Sequence, residues 1–403
     1  MILALLATAI LTKDIRQASL DSSVIAGIDT VCTYRVRSGS PITDQKETGR
    51  CWYFSTTNIL RAETGLEDFQ FSQTFGQYWD LYEKCNRWLE YAAKYRRRPL
   101  RSRIVVTLFK KPIGDGGHFS NAAHLIDKYG AIPHEVMPEL YAGSNDASMM
   151  RTLLTVLRRA GVKMRHCRRS EVAGIKEQAM SDVKTILDKC LGVPPEFFEW
   201  RGVTFTPRTF ADAYIRHDME NDYAVLMNDP TLPYYRTYSV SWSRNCYEYP
   251  DWTFLNLPME ALDSIGVASL RGGRMFYASI DSYQYGYDTL GIYDSRIYKA
   301  SKALGVDLSM SKKEMFESIE TFSAHGVAVC GVKLSSGGPE IERWLVENSF
   351  GPVRGWGGFV VMSGEWFDKF AFRMVVEKRF VPDKYASLLG KRPRRLPPWN
   401  PLY

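Results

Sequence analysis

The 403-residue chain has no two cysteines at CxxC spacing; its seven cysteines stand at positions 32, 51, 85, 167, 190, 246 and 330, odd in number and widely scattered. This pattern argues against a zinc knuckle or a dense disulfide framework. It points instead to a soluble protein of a reducing compartment. Also missing is any run of about 20 uninterrupted apolar residues, so no membrane-spanning helix is expected. The apolar start, residues 1–12, imitates a signal-peptide core but lacks a basic segment before it and a clear small-residue cleavage site after it. It reads as the first turns of a packed helix. Internal repeats and extended low-complexity stretches are absent too. Lysine and arginine exceed aspartate and glutamate by only 52 to 45, a net charge of +7 that gives a nucleic-acid partner weak support.

What is present is enough apolar residue, 45% of the chain, to bury a large core in one elaborate domain or a few lobes. The first part reads as helical. No Gly or Pro interrupts residues 51–61, so a helix follows the turn at Gly39-Ser40-Pro41 and Cys51 opens it. Phe69 and Phe71 alternate as in a short strand. Ser72 then caps a helix carrying Phe75, Trp79, Tyr82, Cys85 and Leu89 at helical spacing. The basic stretch 96–103 cannot continue that helix through Pro99 and reads as a solvated or subunit-contacting loop. Asp115-Gly116-Gly117 leads into a helix from Ser120 to Tyr129, ended by Gly130. Met149, Leu153, Val156 and Leu157, then Val183, Ile186 and Leu187, mark a helical insertion. From Tyr223 onward β-type runs dominate, at 275–277, 327–332, 344–346, 359–362 and 374–376. The last residues, 393–403, are proline-rich and extended.

The chemistry concentrates in Gln45-Lys46-Glu47-Thr48-Gly49-Arg50-Cys51-Trp52. A thiol at a helix N-terminus has its thiolate favoured by the helix dipole, and further by an imidazolium partner. A glutamine six residues earlier can complete an oxyanion hole with the Cys51 backbone N–H. His325 stands at the exposed end of a strand, and Asn348, ending another β-type run, carries an amide oxygen able to fix an imidazole tautomer. Taken alone, any of these cysteines reads as a buried apolar residue, His325 as a surface or core histidine, and Asn348 as a turn residue. Spacing does not join the three.

A resemblance does. The chain resembles the bleomycin hydrolase and bacterial aminopeptidase C family of papain-like cysteine peptidases over nearly its whole length. The similar stretches are Pro41-Ile42-Thr43-Asp44-Gln45, Gly49-Arg50-Cys51-Trp52, Phe71-Ser72-Gln73, Asp115-Gly116-Gly117, Cys190-Leu191-Gly192-Val193-Pro194-Pro195 and Asn228-Asp229-Pro230. They continue in the family's order through residues 344–351, Glu365-Trp366-Phe367 and Leu396-Pro397-Pro398-Trp399-Asn400-Pro401. The resemblance implies an α+β papain-like fold. Its parts are an N-terminal helical segment (1–40), a helical lobe with the nucleophile (41–143), a helical insertion (144–215), a β-rich lobe with His and Asn (216–381) and a C-terminal arm toward the cleft (382–403).

By the same resemblance Cys51 is the nucleophile, His325 the general base and acid, Asn348 the imidazole orienter and Gln45 the oxyanion donor. Gly116, Gly117 and Trp52 bind substrate, and Leu402 and Tyr403 end an autoregulatory arm that selects free substrate N-termini. The implied protein is an intracellular, homohexameric cysteine aminopeptidase acting on peptides, with bleomycin-hydrolase-type amide hydrolysis, no cofactor and no membrane. Phe350 and Gly326 stand where members usually carry Trp and Ala, and the tail is a few residues shorter. The rival readings are an endopeptidase, if the short arm leaves the cleft ungated, a catalytically silent scaffold binding nucleic acid through residues 96–103 or 391–395, and an acyl-transfer enzyme in which an amine, not water, takes the acyl group from Cys51.

Overall fold

The computed structural model describes residues 13–400; the expected helix over residues 1–12, and Leu402 and Tyr403, lie outside them. The nucleophile candidate begins helix α1 (Cys51–Thr64), which Gly65 ends by adopting a left-handed φ of 71°. Every side chain from Cys51 to Arg61 is buried, so this helix is surrounded by protein. Its hydroxyls are satisfied locally, Thr56 Oγ1 donating to the Trp52 carbonyl and Thr57 Oγ1 to that of Tyr53. Against it pack α2 (Gln73–Tyr95) and α4 (Phe119–Tyr129), and α3 (Arg103–Lys110) packs on α2. Ser72 caps α2 by accepting from the Phe75 N–H.

The helical stretch after residue 144 is a pair, α5 (Ala147–His166) and α6 (Val172–Leu191), packed on each other and on α2. Met149, Leu153, Leu157, Val183 and Leu187 are buried at this junction, and Val156 and Ile186 lie at its edge. Phe69 and Phe71 do not form a strand. Phe71 makes only a single bridge to Pro133, and the two rings meet edge to face 4.8 Å apart, because both sink into one aromatic core instead of alternating across a sheet.

The rest is dominated by one twisted sheet. Its longer strands are β1 (Tyr223–Met227), β2 (Arg236–Val240), β3 (Thr253–Asn256), β4 (Phe276–Ile280), β5 (His325–Leu334), β6 (Ile341–Glu347), β7 (Phe359–Ser363), β8 (Ala371–Glu377) and β9 (Arg394–Leu396), with two-residue strands at Tyr34–Arg35, Gly286–Tyr287 and Ile292–Tyr293 besides. The spatial order is β9-β2-β3-β1-β8-β4-β5-β6-β7, mostly antiparallel. Helix α7 (Met259–Arg271) packs against β4, β5 and β8 over a core that includes Phe276, Trp344 and Met374, while α1 also packs against β4 and β5. Helices first and a largely antiparallel sheet after make this an α+β fold.

The basic stretch is tied down. Arg97 donates to the Cys167 carbonyl, Arg165 donates to that of Arg98, and the Arg103 guanidinium lies 4.2 Å from the centre of the Trp399 ring. The tail is extended only over β9, which runs parallel to β2, with the Ser241 N–H donating to the Leu396 carbonyl; it then turns at Pro398-Trp399, where the Asn400 N–H donates to the Pro397 carbonyl.

A fully buried ion pair joins the two halves. Arg61, at the far end of α1, is 2.6 Å from the Glu347 carboxylate on β6, and both side chains are buried. The same guanidinium donates to the carbonyls of Ser38 and Pro41. Removing one member leaves the other as an uncompensated buried charge. Arg61→Met is therefore expected to cost about 3–5 kcal/mol, read from the urea midpoint, and Arg61→Met with Glu347→Met to recover most of that loss.

Candidate active site

A cleft of about 580 Å³ lies between the helical part and the sheet, with Cys51 and Gly117 on one wall, His325, Gly326 and Ser279 on the other and Pro398 of the tail at its edge. Sequence distance is closed by the packing of α1 on β5. The Ser55 hydroxyl donates to the Gly326 carbonyl at 2.8 Å, and the Gly326 N–H donates to Cys51 Sγ at 3.3 Å. These two bonds place the first residues of β5 against the first turn of α1.

His325 begins β5, at the strand end the sequence suggests, but it is buried, with 5% exposure. The reason is Phe350, whose ring stacks on the imidazole with centroids 4.9 Å apart and planes 4° from parallel. Asn348, just after β6, holds its Oδ1 2.8 Å from His325 Nε2. The Ser349 N–H also donates to that Oδ1, which fixes which end of the amide faces the ring. Nε2 is therefore the protonated nitrogen, and the imidazole is hydrogen-bonded to the Cys51 sulfur as well.

Burial alone would push the Cys51 thiol up, but the His325 charge and hydrogen bond, with the Gly326 and Trp52 N–H groups, outweigh it and bring it down. Burial would likewise lower His325, yet the Cys51 charge and hydrogen bond and the Asn348 bond raise it. Opposite shifts in one contacting pair favour the thiolate–imidazolium form. Elsewhere burial pushes Cys85, Cys246 and Cys330 up, leaving them inert thiols.

Gln45 is buried beside this group. Its backbone N–H donates to the Ser349 carbonyl at 2.8 Å, and its Oε1 accepts from Ser349 Oγ at 2.6 Å. Nε2 donates one hydrogen to the Thr48 carbonyl, and a primary amide carries two. The glutamine is thus pinned to the residue that follows Asn348. The Cys51 N–H lies in the first turn of α1, where intrahelical acceptors are lacking.

Across the cleft, Trp52 donates from its indole to the Asp115 carbonyl at 2.9 Å. A Cβ on Gly117 would come within 2.7 Å of that indole, so only glycine fits there, whereas Gly116 faces open space. Sequence reasoning missed the fixing of this loop. The Asp115 carboxylate accepts the Gly49 N–H, and buried Lys84 donates to the Gly114 and Gly116 carbonyls at 3.0 and 2.7 Å while paired with Asp80. Asp115 adjoins the glycine motif; Lys84 carried no signal on its helix face. Tyr277 was also missed. Its hydroxyl lies 2.5 Å from where a Cβ on Gly326 would stand.

Among the described residues one group has ligating residues in reach of one another, Glu63, His217 and Glu377. Arg274 already pairs with both carboxylates, at 3.4 and 3.1 Å, and His217 bonds Glu63 at 2.6 Å, so the cluster is a charge network and not a cation cage. No described helix is long and apolar enough to cross a membrane.

Comparison with known proteins agrees with this geometry. The family model described as "Peptidase C1-like family" matches residues 2–403. Aminopeptidase C of Lactobacillus delbrueckii subsp. lactis is 32% identical over 98% of this chain and 93% of its own. Bleomycin hydrolase of Gallus gallus is 30% identical over 90% of this chain and 86% of its own. The crystal structure of pepw from Lactobacillus rhamnosis HN001 superposes with a TM-score of 0.94 at 28% identity, covering 98% of this chain and 94% of that one. The fold is papain-like, and the chain belongs to the Peptidase C1-like family.

Proposed function

We propose that this cleft is the active site of a cysteine aminopeptidase, with Cys51 as nucleophile. The observation that carries the reading is the buried, hydrogen-bonded Cys51–His325 pair, with the thiol brought down and the imidazole raised. The names of the relatives, aminopeptidase C and bleomycin hydrolase, support amide substrates with a free N-terminus. They do not favour a silent scaffold.

The thiolate of Cys51 adds to the substrate carbonyl carbon, and the carbonyl electrons move onto oxygen. The Cys51 N–H and the second Gln45 N–H receive that oxyanion. Collapse expels the amine, which takes the His325 proton, and leaves a thioester. Water then loses a proton to His325 and displaces the thiolate. Asn348 holds the ring for both transfers, and Phe350 covers its face. Gly116 and Gly117 present backbone to the substrate beside Trp52.

Pro398 at the cleft edge and Trp399 under Arg103 support an arm that limits the site to free N-termini. The proposal extends to a cytoplasmic homohexamer, supported by the family resemblance and by seven unpaired thiols. The basic runs leave nucleic acid a minor partner, since Arg97 and Arg103 are engaged within the chain.

The test uses paired coumarin amides, one with a free α-amine and one N-blocked. Wild type should turn over the first and not the second, Cys51→Ala neither; Cys51-independent turnover would refute the nucleophile assignment. Removing residues 397–403 should release hydrolysis of the blocked amide. Asn348→Ala removes a bond that raises His325, so the alkaline limb of the kcat/KM profile should move to lower pH and kcat fall on the order of 10²-fold. An unmoved limb would argue against Asn348 as the orienter.

A further inference from the structure

The fold pairs its other deeply buried arginines with carboxylates: Arg50 with Glu139 at 2.9 Å and Arg61 with Glu347 at 2.6 Å. Arg373 breaks this rule. It lines the cleft and is 4% exposed, yet among the described residues no carboxylate lies within ion-pair distance of it. Its guanidinium lies 3.9 Å from the centre of the Trp252 ring, one Nη donates to Ser279 Oγ at 3.3 Å, and Nε has no hydrogen-bond partner. A buried cation left so is costly unless something completes it.

Register says where it sits. Arg373 on β8 faces Ser279 on β4, and Ser279 faces Gly326 on β5, so the three share one row and one face. Gly326 is the residue whose N–H holds Cys51 Sγ. Strands stand about 4.8 Å apart, and the guanidinium reaches back over Ser279, so it lies within about one side-chain length of the reacting sulfur's neighbour. The charged side chains lining the cleft are otherwise basic too: Lys84, Arg87 and Lys111. Two of these are occupied, Lys84 by Asp80 and Arg87 by the Trp242 and Arg244 carbonyls. Burial lowers Arg373 only to about 10, so it stays a cation at neutral pH.

We infer that Arg373 is a carboxylate-binding subsite of the cleft, filled by an acidic side chain of the peptide substrate. The unused guanidinium edge can donate to that carboxylate in a charge-assisted pair. Ser279 and Trp252 orient that edge. The inference rests on the peptidase reading for the identity of the bound molecule, but not on turnover.

Binding therefore tests it apart from catalysis. Dye-labelled free-amine tetrapeptides, identical except for Glu or Gln at the first or second residue, would be titrated by anisotropy into Cys51→Ala protein. A Glu over Gln preference of about tenfold or more is expected. Adding Arg373→Met should abolish the preference and Arg373→Lys keep part of it. Equal binding of both peptides, no binding of either, or a preference that survives Arg373→Met would each overturn the inference. If Arg373→Met does not fold, the intact protein's Glu-to-Gln ratio and Arg373→Lys still decide.

Discussion

The site depends on one buried ion pair away from the reacting atoms. Arg61 and Glu347 join the far end of α1 to the last residue of β6, and Asn348 follows Glu347 directly. Cys51 is the first residue of the same helix. Fixing one end of a helix fixes the other, since the intervening peptide hydrogen bonds do not stretch. The guanidinium also binds the Ser38 and Pro41 carbonyls, four residues before Gln45 in the second case, so the segment carrying the glutamine answers to the same clamp. Gln45 in turn bonds Ser349. Helix, strand end and entering loop therefore close a ring of polar contacts around His325.

This rigidity is what makes a charged pair tolerable inside protein. A thiolate in an apolar pocket is unstable, as the raised Cys85, Cys246 and Cys330 thiols illustrate in this same chain. Cys51 differs not in being exposed, since it too is buried, but in the donors aimed at it: an imidazolium and two backbone N–H groups. Preformed donors need no reorganisation when charge appears. Burial then strengthens each of them, so the covering by Phe350 is part of the electrostatics as well as of the packing.

The helical and sheet segments were legible because their signals are local. The uninterrupted stretch after Cys51, the Ser72 cap and the 3.6-residue spacing of Leu153 and Leu157 each report a neighbourhood of a few residues. Phe69 and Phe71 misled because two aromatics two apart satisfy a strand pattern while tertiary packing draws both rings to one core. His325 stands at the strand end that its sequence indicates, yet strand position says nothing of Phe350, which covers it from another loop. That Cys51, His325 and Asn348 meet follows from strand register across distant segments, which only the family resemblance supplied. Lys84 and Arg373 gave no signal at all. What sets them apart is what surrounds them: two loop carbonyls in one case, and the lack of any carboxylate in the other.

Gly326 shows how a departure from a family pattern can be read physically. The position after the histidine usually carries alanine by resemblance, and here a Cβ would meet the Tyr277 hydroxyl at 2.5 Å. Tyr277 lies on β4, one pair further along the same face as Ser279. Its phenol occupies the volume a methyl group would take and brings a hydroxyl to the cleft floor. Burial, then the nearby Cys51 charge, pushes it up to about 12, so it remains a neutral donor at neutral pH. The glycine is therefore not a loosened alanine site but the complement of a large residue on the next strand. The floor beside Cys51 becomes a polar row running from Tyr277 through Ser279 to Arg373, where an alanine and a smaller neighbour would have left an apolar one.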